Sequence, residues 1–254
     1  MIAALQMYDW PEIRDATDRW WAGIARHLGA DVPLSRPEDF TAPWFRDDLL
    51  LAQTCGYPFT HALKGQVSYA ATPHYDAEGC AGADYCSMIF ARVTGAPAEF
   101  RGSTAAVNTP DSMSGMLALK LVFAPHAQEG RFFSGAIETG GHLNSLAAVR
   151  EGRADVCAID SVCVALARRY RPQALEGLVE IARSPAVPGL PLITRAGDPV
   201  RLREGLRRAF ADPELKEARA ALMLSGVSVL DEGEYARITR LEAEMERGGG
   251  VQLL

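Results

Sequence analysis

The chain has 254 residues, 48% of them hydrophobic and 23% charged. That is enough apolar material for one substantial core, or for two smaller ones joined by a hinge, and it excludes a disordered chain. The net charge of −6, with no clustered Lys or Arg, excludes a broad nucleic-acid footprint and leaves room for local binding of a small anion.

No window reaches the roughly 18 consecutive apolar residues that a membrane helix needs, so a soluble chain that does not span a membrane is expected. The start, MIAALQMYDWPE, lacks a basic n-region and meets Asp9, Trp10 and Pro11 early, so it does not read as a secretory leader. The expected compartment is the periplasm if a leader lies outside this sequence, and the cytoplasm otherwise.

IAALQMY reads as a short strand, followed by an amphipathic helix from Pro11 to Leu28 that Gly29 stops. Pro33, Pro37 and Pro43 make a loop, and DDLLLAQTCGY is a buried strand ended by Gly56 and Pro58. VSYAATPHY and YCSMIFARV are further strands. From Glu99 strands and helices alternate: STAAVN, then a helix over PDSMSGMLALKLVFA with Pro110 in its first turn, then the strand FFSGAIET. The helix GHLNSLAAVREG, the strand DVCAID and the helix SVCVALARRY follow. Such alternation predicts an α/β class with parallel sheets. LVEIARS leads through the crossover-like PAVPGLP into LITR. Amphipathic helices are expected over DPVRLREGLRRAFADPELKEARAALMLSG and EGEYARITRLEAEMERG, with GGGVQLL as a loose tail.

Five cysteines, Cys55, Cys80, Cys86, Cys157 and Cys163, include no C-x(2-4)-C pair, which argues against structural zinc. Cys157 and Cys163 read as buried thiols, while Cys55 and Cys80 lie in Gly-bearing loops where a bridge is geometrically possible. The G-x-S-x-G, G-x(4)-G-K-[ST], H-E-x-x-H and post-strand G-x-G-x-x-G motifs are all missing. Hydrolase, NTPase, zincin and dinucleotide chemistries therefore lack their residues. No cofactor, metal or catalytic residue is assigned.

The turn NTPDSMSG holds Asn108, Thr109, Asp111, Ser112 and Ser114, all good N-cap or turn formers, followed by Gly115. One reading is plain capping. The other rests on excess: a cap needs one or two side-chain oxygens, and the additional hydroxyls beside helix-start amides make a cradle for an oxyanion. ETGGHLNSLAAV repeats the pattern with Gly140, Gly141, His142 and Ser145, His142 being either a donor to a ligand or a solvent-facing cap. Asp160, where DVCAID leaves its strand, is a third candidate or another N-cap. Tyr8 and the segment Gln53, Thr54, Cys55, Gly56, Tyr57 also lie at carboxyl ends of strands; half-buried packing is the alternative for both tyrosines.

In order and spacing, LQMYD, LLLAQTCGYPF, TPHYDAEGCAGADYCSMIFAR, VNTPDSMSGMLALK, GGHLNSLAAVREGRADVCAIDS and PGLPLIT resemble the phosphate/phosphite/phosphonate substrate-binding proteins of ABC transporters, which have the type 2 periplasmic binding protein fold. The resemblance implies two α/β lobes, each a mixed, mostly parallel sheet flanked by helices, with the ligand in a cleft between them. The first lobe would comprise 1–99 plus 186–254 and the second 100–185, with crossovers near 99–103 and 184–189.

It further implies an anion-binding helix start at Asn108, Ser112, Met113, Ser114 and Gly115, with Met113 in place of a small polar residue. A second turn at Gly141 and His142 and an acidic strand end at Asp160 complete that lobe's share. Tyr8, Gln53, Thr54 and Tyr57 would form the first-lobe wall. The implied partners are a small anionic or zwitterionic ligand and an ABC permease, with hinge closure and no catalysis. An enzyme on the same fold, like the menaquinone-pathway or thiamine-precursor relatives, and a cytoplasmic ligand sensor are the alternatives.

Overall fold

A computed structural model describes residues 1–253. In chain order, β1 (Ile2–Ala4) leads to α1 (Arg14–Leu28), β2 (Leu49–Gln53), the short α2 (Gly56–Thr60) and β3 (Ser68–Tyr75). Two brief strands, β4 (Cys80–Ala81) and β5 (Asp84–Tyr85), precede β6 (Ser87–Ala91) and β7 (Thr104–Val107). A π-helical turn over Met113–Leu117 runs into α3 (Ala118–Phe123), followed by β8 (Gly135–Glu138), α4 (His142–Arg150), β9 (Val156–Asp160) and α5 (Ser161–Tyr170). The chain continues through β10 (Val179–Arg183), β11 (Val187–Pro188), β12 (Leu192–Thr194), α6 (Pro199–Ala211), α7 (Lys216–Ala221), β13 (Leu224–Ser228) and α8 (Glu232–Arg247). Among the described residues, no helix is long and apolar enough to cross a membrane.

The chain divides into two compact units. The first comprises Met1–Asp76, Ala81–Asp84 and Pro188–Glu234; the second comprises Ala77–Cys80, Tyr85–Val187 and the chain from Tyr235 onward. The first unit's sheet has the order β1-β2-β12-β3-β13. Its one parallel pair is β1–β2, whereas β12 runs antiparallel to both neighbours and β13 antiparallel to β3. α1 turns Trp20, Trp21, Ile24 and Leu28 inward at helical spacing, against Leu202 and Leu206 of α6 and the sheet residues Leu50, Leu51 and Leu192. Gly29, at φ 59°, ends α1 in the left-handed region that glycine adopts without a Cβ clash.

The second unit's sheet has the order β10-β6-β9-β7-β8. β7 lies parallel to β8 and β9, and β6 antiparallel to β9 and β10, so both sheets are mixed rather than mainly parallel. All five residues of β9 are buried, which matches the apolar run VCAID at the centre of a covered sheet.

Several expectations need correction. The first crossover lies between 76 and 85 rather than near 99–103, because β6 pairs with β9 along its whole length, from Ser87↔Asp160 to Ala91↔Val156. The return passage is at 187/188. The C-terminal segment belongs to the second unit, not the first: Val251 and Leu253 are only 3% and 6% exposed, and the Gln252 amide donates to the Gly130 carbonyl at 3.0 Å. Residues 248–253 are thus a packed strap rather than a loose tail, and Leu254 lies outside the described residues. LMLSG is no helix extension but leads into β13, since Met223 takes φ 56° and stops α7. All five cysteines are free thiols, so the considered Cys55–Cys80 bridge is not formed.

Helix α1 approaches the start of α7 closely at Gly23, where an added Cβ would meet Leu215 side-chain atoms at 2.2, 2.7 and 2.9 Å. Overpacking costs about 1–3 kcal/mol, and the helix-propensity gain of roughly 1 kcal/mol offsets part of it. Gly23→Ala is therefore expected to destabilise the protein by about 1–2 kcal/mol in urea unfolding; an unchanged or higher midpoint would show that this contact relaxes freely.

Candidate functional site

In the second unit, β7 and β8 end in register, with Val107 opposite Glu138. The turns that follow are consequently neighbours. The Thr139 amide donates to the Val107 carbonyl and the Gly140 amide to the Asn108 carbonyl, each at 2.8 Å. Gly140 takes φ +77°, which favours glycine, whereas Gly141 is extended at φ 178°, with open space where a Cβ would stand. Thr139 organises this turn: its Oγ1 lies 3.1 Å from the Val107 carbonyl and 2.7 Å from Oγ of the fully buried Ser145.

Ser112 is the N-cap of the π-turn, its Oγ accepting the Gly115 amide at 2.9 Å while its carbonyl accepts the Leu117 amide at 2.9 Å. The helix thus begins after Ser112, and Pro110 stays in the loop, three residues before the first helical residue, Met113. Ser114 Oγ sits 2.9 Å from His142 Nε2 and 3.5 Å from Ser112 Oγ. This bond joins the two turns by their side chains. Met113 is 1% exposed and belongs to the core.

Asn108 Oδ1 is buried without a hydrogen-bond partner. It presses against Gly115, where a Cβ would lie 1.7 Å from Oδ1 and 2.6 Å from Cγ, so the absence of a side chain at 115 is what lets Asn108 fold over the helix start.

Burial holds the His142 imidazole down to about 4 from an ordinary 6.5, opposed by the nearby Ala158 carbonyl, which favours a ring N–H without completing a well-formed bond to Nδ1. At neutral pH the ring is uncharged. An anion brought to these turns would therefore meet hydroxyl, amide and imidazole dipoles rather than a formal cation.

Asp160, 2% exposed, caps α5 by accepting the Val162 and Cys163 amides at 2.7 and 3.3 Å. Burial, with the Asp160 charge adding to it, raises the Cys163 thiol well above its ordinary range and pushes Cys80 up to about 12. These are inert thiols.

In the first unit, Tyr8 is 8% exposed and meets Tyr75 edge-on at 5.2 Å, and Gln53 Nε2 donates to the Tyr75 hydroxyl at 3.0 Å. Tyr8 and Gln53 are thereby gathered around a residue that sequence reading passed over, although Tyr75 ends a strand in VSYAATPHY. Thr54 is fully buried and its amide donates to the Pro191 carbonyl at 3.0 Å, a link within the sheet. Tyr57 is stacked on His61, with ring centroids 3.9 Å apart. Thr139 was also passed over, though a threonine preceding two glycines at a strand end is a readable sign of a built turn; Ser145, which the sequence did single out, is its hydroxyl partner.

A sequence-family model described as ABC transporter, phosphonate, periplasmic substrate-binding protein matches residues 8–236. Among curated proteins none matches. Among solved structures, a binding-protein component of an ABC phosphonate transporter from Pseudomonas aeruginosa is 20% identical, covering 97% of this chain and 86% of that one with a TM-score of 0.78. PhnD1 of Prochlorococcus marinus, in complex with methylphosphonate, is 13% identical over 97% of each chain with a TM-score of 0.77. A Xanthomonas citri protein bound to chloride is 18% identical over 98% of each chain, at 0.72. At such identities these likenesses speak for the fold alone: two α/β units of the periplasmic-binding-protein type.

Because His142 is harder to protonate in the folded protein than in the unfolded chain, acid favours unfolding: between about pH 6.5 and 4 the unfolded chain takes up a proton that the folded one refuses. The His142 ring resonances are expected to titrate near pH 4, and His142→Asn to flatten the loss of stability over that window. Titration near 6.5 would contradict the desolvation of the ring. Gly115→Ala is expected to cost about 1–3 kcal/mol by displacing Asn108; a neutral outcome in thermal unfolding would show that Asn108 moves aside freely.

Proposed function

The chain belongs to the family of periplasmic phosphonate substrate-binding proteins of ABC transporters, and on that premise we propose that it captures a phosphonate- or phosphate-like small oxyanion, or a zwitterion carrying one, for uptake through an ABC permease. The family's members bind a substrate for transport rather than transform it. The periplasm is the compartment that this role requires. In this reading the anionic end of the ligand is held by the strand-end turns of the second unit.

The observation that carries the reading is the bond between Ser114 and His142, which joins two strand-end turns beside the unpartnered Asn108 Oδ1. The Ala158 carbonyl favours the ring proton on Nδ1, the form in which Ser114 donates to Nε2; in this reading an anion draws the proton to Nε2, so that His142 donates to Ser114 Oγ and the Ser114 hydroxyl proton turns toward an anion oxygen. The Asn108 amide can present its N–H groups to the same anion by rotating about its last bond. The open space over Gly141 leaves the start of α4, which has no side-chain cap, approachable by a ligand oxygen. Asp160 is a proposed contact for a cationic group on the ligand, in addition to its capping of α5.

Calorimetry with phosphonates, phosphate and small carboxylates is expected to give at least one dissociation constant below the millimolar range. A hydrogen bond to a charged group contributes about 1.5–3 kcal/mol, so Ser114→Ala should weaken that ligand roughly 10- to 150-fold. Ser112→Ala combined with Ser114→Ala should abolish binding within the measurable range. Binding untouched by the pair would remove both residues from the site.

A further inference from the structure

The carboxyl ends of β8, β7 and β9 form one row in the second unit: Val107 stands opposite Glu138, and Ala105 and Ala106 opposite Val156 and Cys157. Adjacent strands lie about 5 Å apart, so the end of β9 stands about 5 Å from that of β7 and about 10 Å from that of β8. The His142 ring reaches along this row, since the Ala158 carbonyl of β9 faces it. Two residues further on is Asp160, 2% exposed, with the Val162 and Cys163 amides donating to its Oδ1. Such donors favour the charged form of a carboxyl group. A negative charge is thus built into the row.

The basic side chains of the helices that lead from these strands are engaged elsewhere. α3, α4 and α5 carry them in their last turns: Lys120, Arg150, and Arg168 with Arg169. Lys120 lies 3.9 Å from Glu246, Arg150 donates to the Gln173 carbonyl at 2.5 Å, and Arg168 to Glu78 at 2.5 Å. Asp111 and Glu138 add exposed carboxylates to the turns. Three thiols stand near Asp160. Burial pushes Cys80 up to about 12 and Cys163 well above its ordinary range, and Cys86 Sγ is buried 3.7 Å from Ser161 Oγ. Asn108, the first residue past β7, holds a buried Oδ1 without a hydrogen-bond partner. A ligand oxygen that keeps its acid proton can donate to this acceptor as it stands, whereas a fully ionised ligand requires the amide to turn round.

We propose that these turns take their oxyanion in its singly ionised form, and that Asp160 is the residue that disfavours the doubly ionised one. The inference rests on the reading above and sharpens it, from an oxyanion in general to one such as a hydrogen phosphonate, which keeps one acid proton. A second ligand charge about 10 Å from a carboxylate in a partly buried setting weakens binding about tenfold. Capture is then favoured in mildly acidic surroundings, where the ligand holds that proton.

The test follows methylphosphonate and inorganic phosphate by calorimetry and phosphorus NMR, at pH values on either side of their second ionisation. Affinity is expected to fall about tenfold as the free ligand loses its second proton, and the bound phosphorus resonance to titrate about one pH unit above the free one. His142, uncharged above about 4, adds no titration of its own in that window. Asp160→Asn keeps an oxygen to cap α5 and should remove most of the fall; Asp160→Ser, another cap former, is the second variant should the first misfold. Affinity that stays level or rises through the ionisation, with the bound resonance titrating no higher than the free one, would overturn the inference and leave the anion-binding reading intact. A fall of equal size in the Asp160 variants would overturn it too. Failure of both compounds to bind at every pH would overturn both readings together.

Discussion

The hydrogen bond between Ser114 and His142 is the contact on which the functional account depends. It is possible only because β7 and β8 run parallel and end in step, so that both chains turn off the sheet at the same level. Backbone bonds from Thr139 to Val107 and from Gly140 to Asn108 then hold the turns side by side before any side chain contributes. Sheet register thereby sets the geometry of hydroxyl and imidazole groups 28 residues apart in the chain. Parallel strands place their carboxyl ends on one side, and here β7, β8 and β9 each lead into a helix start there.

Local packing refines that geometry. The π-turn from Ser112 brings Ser114 round toward His142, with Met113 directed into the core as an anchor. Gly115 leaves space into which Asn108 folds, at the expense of an unsatisfied buried oxygen. Such an oxygen destabilises the isolated protein, and polar groups of this kind concentrate where function requires them. His142 is neutral for the related reason that its surroundings disfavour charge. In the proposed reading, turns built from dipoles with no formal cation hold an anion without the nonspecific reach of a basic patch.

Much of this was legible in the residues. The alternation of apolar runs and helical patterns from Ser103 to Tyr170 announced an α/β unit, and NTPDSMSG announced a turn with more hydroxyls than one cap uses. Less legible was which sheet would take a strand. SMIFA looks like a continuation of the strands before it, and its pairing with VCAID and with β10 assigns β6 to the second unit. β13 was hidden because RAALML continues a good helix pattern up to Met223, whose positive φ carries no compositional sign. Three glycines likewise masked the burial of Val251 and Leu253. At the candidate residues, composition left capping and ligand contact undivided. Asp160 does cap α5, whereas Ser112 and Ser114 hold a geometry that a cap alone does not call for.

The most direct measurement of the central claim is amide chemical-shift mapping on the intact chain during titration with methylphosphonate. The account predicts that the largest saturable changes fall together on residues 112–117 and 140–145, the two turns joined by Ser114 and His142. Changes confined to one turn, or centred on surfaces remote from both, would contradict it.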